Sequence, residues 1–313
     1  MKTIGRYPIE IFCYRWDDNS DSSRLARRQQ YCRYIHGTCV KPRKSEPEIK
    51  IGICSVGAAV NGSKQLHPVI ICPQRFKTEA MFEALREKYL ASWENVKWIQ
   101  EVNLGVGGNV DYVAVEVDKY DRIKDFLCVE IQAAGTTGTP YPYVKELLEE
   151  GHYSGKKYTY GINWANEFSK TMMQQAYKKG KIVELWNRKI VFVVQNVAMD
   201  YIKTVSDCTK LVEFNPRYPV DFCTFNFSIS KDEAVLSVDK IFSTTMEGIN
   251  LMLGGAVPEN YLSEEEFIKN IAKKGLNDGV LCMNNHLKKF LEELYARRGF
   301  KDIYIVYHFG DYL

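Results

Sequence analysis

Two consecutive strand-like runs, Asp111-Tyr-Val-Ala-Val-Glu-Val-Asp118 and Phe126-Leu-Cys-Val-Glu-Ile-Gln132, constrain this chain more than any other segment. Each is alternating or richly β-branched, and the polar stretch from Lys119 to Asp125 between them has the composition of a hairpin connection. Folding about that loop returns Asp111, at the open end of the first strand, to Glu130 and Gln132 at the open end of the second. Glu130 and Gln132 are two positions apart and share one face of their strand, while Val129 and Ile131 point into the core. Mg²⁺ takes oxygen ligands from one or two carboxylates and from phosphate, so a hairpin mouth of this kind suits the hydrolysis of phosphodiesters.

The competing reading is a surface hairpin with solvated charges. It suits Asp118, Asp121 and Asp125, because turns and strand ends favour such residues. It does not suit Glu130, set among Leu127, Cys128, Val129 and Ile131, where an unpaired buried charge costs several kcal/mol. Glu101 is a third acid that reads equally well as surface. Glu83 and Glu87, one helical turn apart, read as a solvated helix face.

The chain has nine cysteines and no apolar leader after Met1-Lys2, a pattern expected of a reducing, cytoplasmic compartment. Cys32, Cys39, Cys54 and Cys72 are spaced C-x6-C-x14-C-x17-C among Gly, Pro and Lys. That spacing fits a tetrahedral metal site and four separately buried thiols equally well. Cys13 is a substitute for one ligand and His36 for another, while Cys128, Cys208, Cys223 and Cys282 lie in apolar contexts and read as core.

The net charge of +3 hides an uneven distribution. Residues 1–50 carry +5 and residues 151–190 carry +6, whereas residues 111–150 carry −5. An acidic centre between basic flanks is what the cleavage of a polyanion demands. Arg24, Arg27, Arg28, Arg33, Arg43 and Lys44 bracket the cysteine segment, and arginine suits guanine edges and phosphates. Lys178-Lys179-Gly-Lys181 reads instead as a helix end complementing the macrodipole. Gly105-Val-Gly-Gly108 lacks the last glycine and the following helix of a dinucleotide loop, and is read as a turn delivering Asp111. Gly135-Thr-Thr-Gly-Thr139 lacks the Gly-Lys-Ser/Thr ending of a phosphate loop. No Ser-His-Asp or Cys-His set stands out, and no run of eighteen apolar residues is present to span a membrane.

An Asp followed on the next strand by Glu-x-Lys is the signature of the PD-(D/E)XK nucleases; here Gln132 stands in the lysine position and Val110 where a proline usually precedes the Asp. With that substitution come Ala-Ala-Gly-Thr-Thr-Gly-Thr at 133–139, Cys72-Pro-Gln-Arg-Phe76, Gly161-Ile-Asn-Trp-Ala-Asn166 and a lysine-rich helix. Over roughly residues 25–205 the chain resembles the NotI family of type II restriction endonucleases. The resemblance implies Mg²⁺-dependent, sequence-specific hydrolysis of double-stranded DNA, with Asp111 and Glu130 on the metal and Gln132 orienting the water. Gln132 cannot act as a base, so a metal-bound hydroxide takes the place of a lysine-activated nucleophile. It also implies a structural iron held by Cys32, Cys39, Cys54 and Cys72, although S₄ chemistry admits zinc equally. A homodimer cutting palindromes, a DNA methyltransferase as genetic partner rather than complex, and a bacterial cytoplasmic location follow from the same source. The rivals are a non-catalytic, metal-stabilised DNA-binding protein and a repair nuclease that reads structure or damage.

The fold expected is α/β: a PD-(D/E)XK-like core with a mixed sheet flanked by helices, preceded by a small four-cysteine module. At 45% apolar and 13% aromatic the chain has the means to bury such a core. Residues 1–75 form the basic module, 76–205 the catalytic core, and 206–313 an α+β extension contributing to dimerisation or DNA contact. Helices are expected at 76–92, 144–150, 164–179, 263–274 and 284–297. Strands are expected at 96–103, 111–118, 126–132, 189–195, 220–229, 234–240 and 302–307.

Overall fold

The computed structural model describes residues 5–255, apart from 44, 61–62, 64, 106–107 and 230–233, together with Ser263 and Glu266. Apart from Ser263 and Glu266, the expected helices at 263–274 and 284–297 lie outside the described residues, as do the strand at 302–307 and the core role of Cys282.

The N-terminal segment is more regular than a metal loop. Strands β1 (Pro8–Ile11), β2 (Tyr14–Arg15), β7 (Ile53–Ala59) and β8 (Leu66–Ile70) form a sheet in the order β2-β1-β7-β8. Between β2 and β7 lie helix α1 (Asp21–Gln29) and two small hairpins, β3 (Tyr31–Cys32) with β4 (Gly37–Thr38) and β5 (Pro42–Arg43) with β6 (Glu46–Lys50). Ser20 caps α1 by accepting the Ser23 amide on its side-chain oxygen.

The larger sheet begins with β9 (Val96–Asn103), β10 (Asn109–Val117) and β11 (Ile123–Gln132), an antiparallel meander. In β10, Val113, Val115 and Val117 enter one apolar cluster and Tyr112 and Ala114 the other, so both faces of the strand are covered. The connection to β11 is closed by the Asp118 carboxylate, which accepts the amides of Tyr120 and Arg122 while Asp121 adopts φ +61. Asp118, Asp121 and Asp125 pair with Arg122, Lys97 and Arg188 at the surface, the structural role expected of them.

A two-stranded ribbon, β12 (Thr136–Thr137) with β13 (Gly161–Ile162), and helices α3 (Tyr141–Glu150) and α4 (Met173–Leu185) then carry the chain to β14 (Ile190–Gln195). After α5 (Asn196–Val205) come β15 (Val212–Glu213), β16 (Val220–Ile229), β17 (Ala234–Thr244) and α6 (Met246–Met252). The sheet order is β15-β17-β16-β14-β11-β10-β9, with β11, β14 and β16 parallel to one another and the rest antiparallel, so the sheet is mixed. Parallel neighbours need crossovers, and α3 with α4, then α5, supply them. Every residue of β14 is buried, as its Ile-Val-Phe-Val-Val run predicts.

Residues from α3, α4, α5 and α6 pack on one face of this sheet, and α2 (Glu79–Tyr89) with Phe76 covers the other. The 164–179 helix differs from expectation. Its first two turns, Ala165–Met172, are π-helical, and α4 continues to Leu185, which puts the lysine cluster mid-helix instead of at an end.

Two devices join the N-terminal sheet to the larger one. Gln195, at the end of β14, accepts the Ile70 amide (2.9 Å) and donates to the Pro68 carbonyl (2.7 Å), standing in for a neighbouring strand. Glu10 of β1 forms a buried ion pair with Arg75 at 2.9 Å, and Arg75 also donates to the Ala234 carbonyl of β17. Removing one partner of such a pair leaves the other charged and desolvated. Arg75→Met is therefore expected to lower unfolding free energy by about 3–5 kcal/mol. The double change with Glu10→Gln should recover part of this, measured by chemical denaturation.

Candidate active site and cysteine cavity

At the site end, the β10–β11 ladder runs to Tyr112 opposite Val129. One step further, side chains take over from backbone. The Asp111 Oδ2 accepts the Ile131 amide at 2.7 Å, and the Asp111 amide in turn bonds to the Glu130 carboxylate. Asp111, Glu130 and Gln132 are thus brought together on the face toward α4, since Val113 and Cys128, of the same parity, belong to the cluster that α3 and α4 line. Val129 and Ile131 enter the opposite cluster, as expected. Gln132 is half-buried, and its amide makes one local bond, to the Ala133 carbonyl at 3.3 Å.

Glu130 is 5% exposed, and its carboxyl is pushed up to about 7, first by burial and then by the charge of Asp111. Burial raises Asp111 as well. The compensating group is Lys179 of α4, which donates to the Glu130 Oε1 and, at 2.6 Å, to the Asn109 carbonyl. Sequence reasoning assigned this lysine to a solvated helix end. The available signal was its spacing: Lys179 lies three residues after Ala176 and four before Val183, on the buried stripe, whereas Lys178 and Lys181 are exposed.

Two further charges face the pair. Lys77, following Cys72-Pro-Gln-Arg-Phe76, lowers the Asp111 carboxyl electrostatically, and Glu101 raises it. Glu101 lies in β9 between two residues paired with β10, opposite Asp111, yet adopts φ +55, a strained conformation for a non-glycine residue. Glu83 and Glu87 are exposed on α2, as expected.

Cys32, Cys39, Cys54 and Cys72 line a single cavity of about 10 Å³, and Cys13 is the fifth sulfur in its wall. The Cys13 and Cys32 sulfurs are 3.5 Å apart, within the range of a thiol–thiol hydrogen bond. Backbone amides of Arg33, of Tyr34 and Ile35, of Cys13 and of Gln74 bond to Cys13, Cys32, Cys54 and Cys72 respectively. Cys13 reaches the cavity from a turn in which Phe12 and Cys13 both have positive φ, at 48 and 71. Among the described residues no three His, Cys, Asp or Glu side chains stand in metal-holding geometry. The Cys13 thiol and then burial push Cys32 up, and burial pushes Cys72 up. His36 is exposed and does not line the cavity.

Of the basic residues around this cavity, Arg27 donates to the Arg15 and Trp16 carbonyls, Arg33 stacks on Tyr14 and Tyr34, and Arg43 pairs with Glu46 over the Tyr141 ring. Arg24 and Arg28 are exposed on α1, and Lys44 lies outside the described residues. No helix among the described residues is long and apolar enough to cross a membrane.

Comparison with known families matches residues 22–215 to the one described as restriction endonuclease NotI. None of the curated proteins compared matches the chain.

The electrostatic push of Asp111 on Glu130 is directly measurable. Asp111→Asn should move the Glu130 carboxyl titration, followed by ¹³C NMR without divalent ions, below its midpoint of about 7. An unmoved midpoint means that the two groups do not face each other.

Proposed function

The chain belongs to the NotI restriction endonuclease family and is a type II site-specific deoxyribonuclease, and on that premise we propose that Asp111 and Glu130 hold the Mg²⁺ with which it cuts double-stranded DNA. The observation that carries this reading is the pair itself: two desolvated carboxylates, both raised above their ordinary range, at the mouth of a hairpin. Such a pair fits a hard divalent cation, which offsets the repulsion and takes carboxylate oxygens. The Asp111 Oδ2 is committed to the Ile131 amide, leaving Oδ1 without a protein partner among the described residues. When bound, Mg²⁺ supplies Lewis acidity and makes a water molecule acidic enough to attack phosphorus.

The protein's own part is to hold, orient and exclude. Asp111 and Glu130 are fixed by reciprocal backbone bonds on two strands of a rigid sheet, so the phosphodiester meets preset oxygens. Gln132 gives up a weak local bond to position the attacking water through its amide. Its amide does not take a proton at neutral pH, so it orients without acting as base.

Cys32, Cys39, Cys54 and Cys72 would hold one structural iron or zinc ion, since the donors are all sulfur, the cavity admits one small ion, and backbone amides are directed at three of the four. That ion would fix the spacing of the β3–β4 hairpin and β7, and so the presentation of the exposed arginines on α1. We assign the enzyme to a homodimer acting on a two-fold symmetric site in the bacterial cytoplasm.

Plasmid digestion with Mg²⁺ should give discrete bands; smearing indicates a structure-directed nuclease, and intact plasmid a DNA-binding protein. Asp111→Ala and Glu130→Ala should each lower cleavage by more than about 100-fold while retaining DNA binding. Cutting by both at the normal rate refutes the assignment. Cys54→Ser should lose one equivalent of iron or zinc and melt at lower temperature; unchanged metal content and melting mean that the thiols are simply packed.

A further inference from the structure

Lys179 is 4% exposed, in a stripe otherwise formed by Met173, Ala176, Gly180 and Val183. A lysine there forfeits hydration, and replacing a buried ion pair by apolar side chains of similar volume is often neutral or stabilising. Packing alone therefore gives no reason for this charge. The seat around it is specific. A Cβ on Gly180 would lie 2.8 Å from the Met246 sulfur and 2.8 Å from the Val220 Cγ2, so the glycine lets α4 lie close to β16 and α6 at this turn. One residue away, the ammonium reaches across to β11 and to the first residue of β10, bonding Glu130 and the Asn109 carbonyl together.

We propose that Lys179 is a positioning residue of the nuclease, a buried cation carried by α4 that fixes the Glu130 carboxylate in its metal-binding orientation. The inference rests on the reading of Asp111 and Glu130 given above and adds to it. The strand supplies no cation of its own, because Gln132 is neutral. Lys179 supplies that charge from the helix instead, holding one Glu130 oxygen and leaving two carboxylates and one ammonium with a single formal negative charge. One divalent ion then suffices to make the site positive toward a phosphodiester.

The test is a comparison of Lys179→Met, Lys179→Gln and Lys179→Arg in the full chain. Single-turnover cleavage, DNA affinity in Ca²⁺, the half-saturating Mg²⁺ concentration and the melting temperature in Mg²⁺ are measured for each. At saturating Mg²⁺ the Met and Gln variants should cut about 100-fold more slowly, the loss that misplacement by about 1 Å produces. DNA affinity should stay within about 3-fold, because a lost orientation acts on the rate and not on ground-state binding. The Mg²⁺ requirement should stay within about 3-fold, because losing a nearby positive charge favours the cation while losing a preset oxygen disfavours it. Lys179→Arg should restore at least about 10-fold of the lost rate, because it keeps the charge and donors. A well-folded Met or Gln variant cutting at the wild-type rate overturns the proposal. So does a loss shared equally by the Arg variant and accompanied by lower melting and a higher Mg²⁺ requirement, since packing alone explains it. Persistent cutting by Glu130→Ala would refute the parent reading; a wild-type rate in Lys179→Met with Glu130→Ala inactive refutes this inference alone.

Discussion

The desolvation of Glu130 organises the centre of this molecule. A carboxylate at 5% exposure on a strand between two others must find partners or a proton, because low-polarity surroundings penalise the charged form. Three answers meet there: the Asp111 amide, the Lys179 ammonium, and a carboxyl raised to about 7. Each comes from a different element, so β10, β11 and α4 are held in mutual register by one group. In a family that cuts DNA, that group is the one we propose as a ligand for a cation stronger than lysine.

The sheet was largely legible because its strands carry their signals locally. Val96–Asn103 and Val220–Ile229 end where their β-branched and aromatic runs end, and the uninterrupted apolar run of β14 places it at the centre. What escaped were helices whose stability comes from elsewhere. Helix α1 is strongly charged and buries only Ser23 and Ala26, so its cap, not its periodicity, marks it. Helix α5 opens directly from β14 at Asn196, with no side-chain cap bond to announce it.

The site was legible in part for the same reason. Asp111, Glu130 and Gln132 were placed together by hairpin arithmetic, which requires only the strand period and the length of one connection. Lys179 comes from a helix 49 residues further on, and no local rule links the two. Sequence did show that it breaks an apolar stripe. Cys13 is similar: its distance from Cys32 depends on the Phe12-Cys13 turn, whose left-handed backbone neither residue favours, and only the folded β1–β2 hairpin reveals it.

The Gln195 side chain, described above as a stand-in strand, ties the cysteine-bearing segment to the larger sheet. It clasps Pro68 and Ile70, and Ile70 also accepts the Ala134 amide, two residues past Gln132. The strand bearing Cys54 pairs with the strand clasped in this way, and Cys72 follows it directly. A contraction or expansion of the sulfur cavity would therefore reach, through one strand and one amide, the carboxylates that we propose as the metal pair.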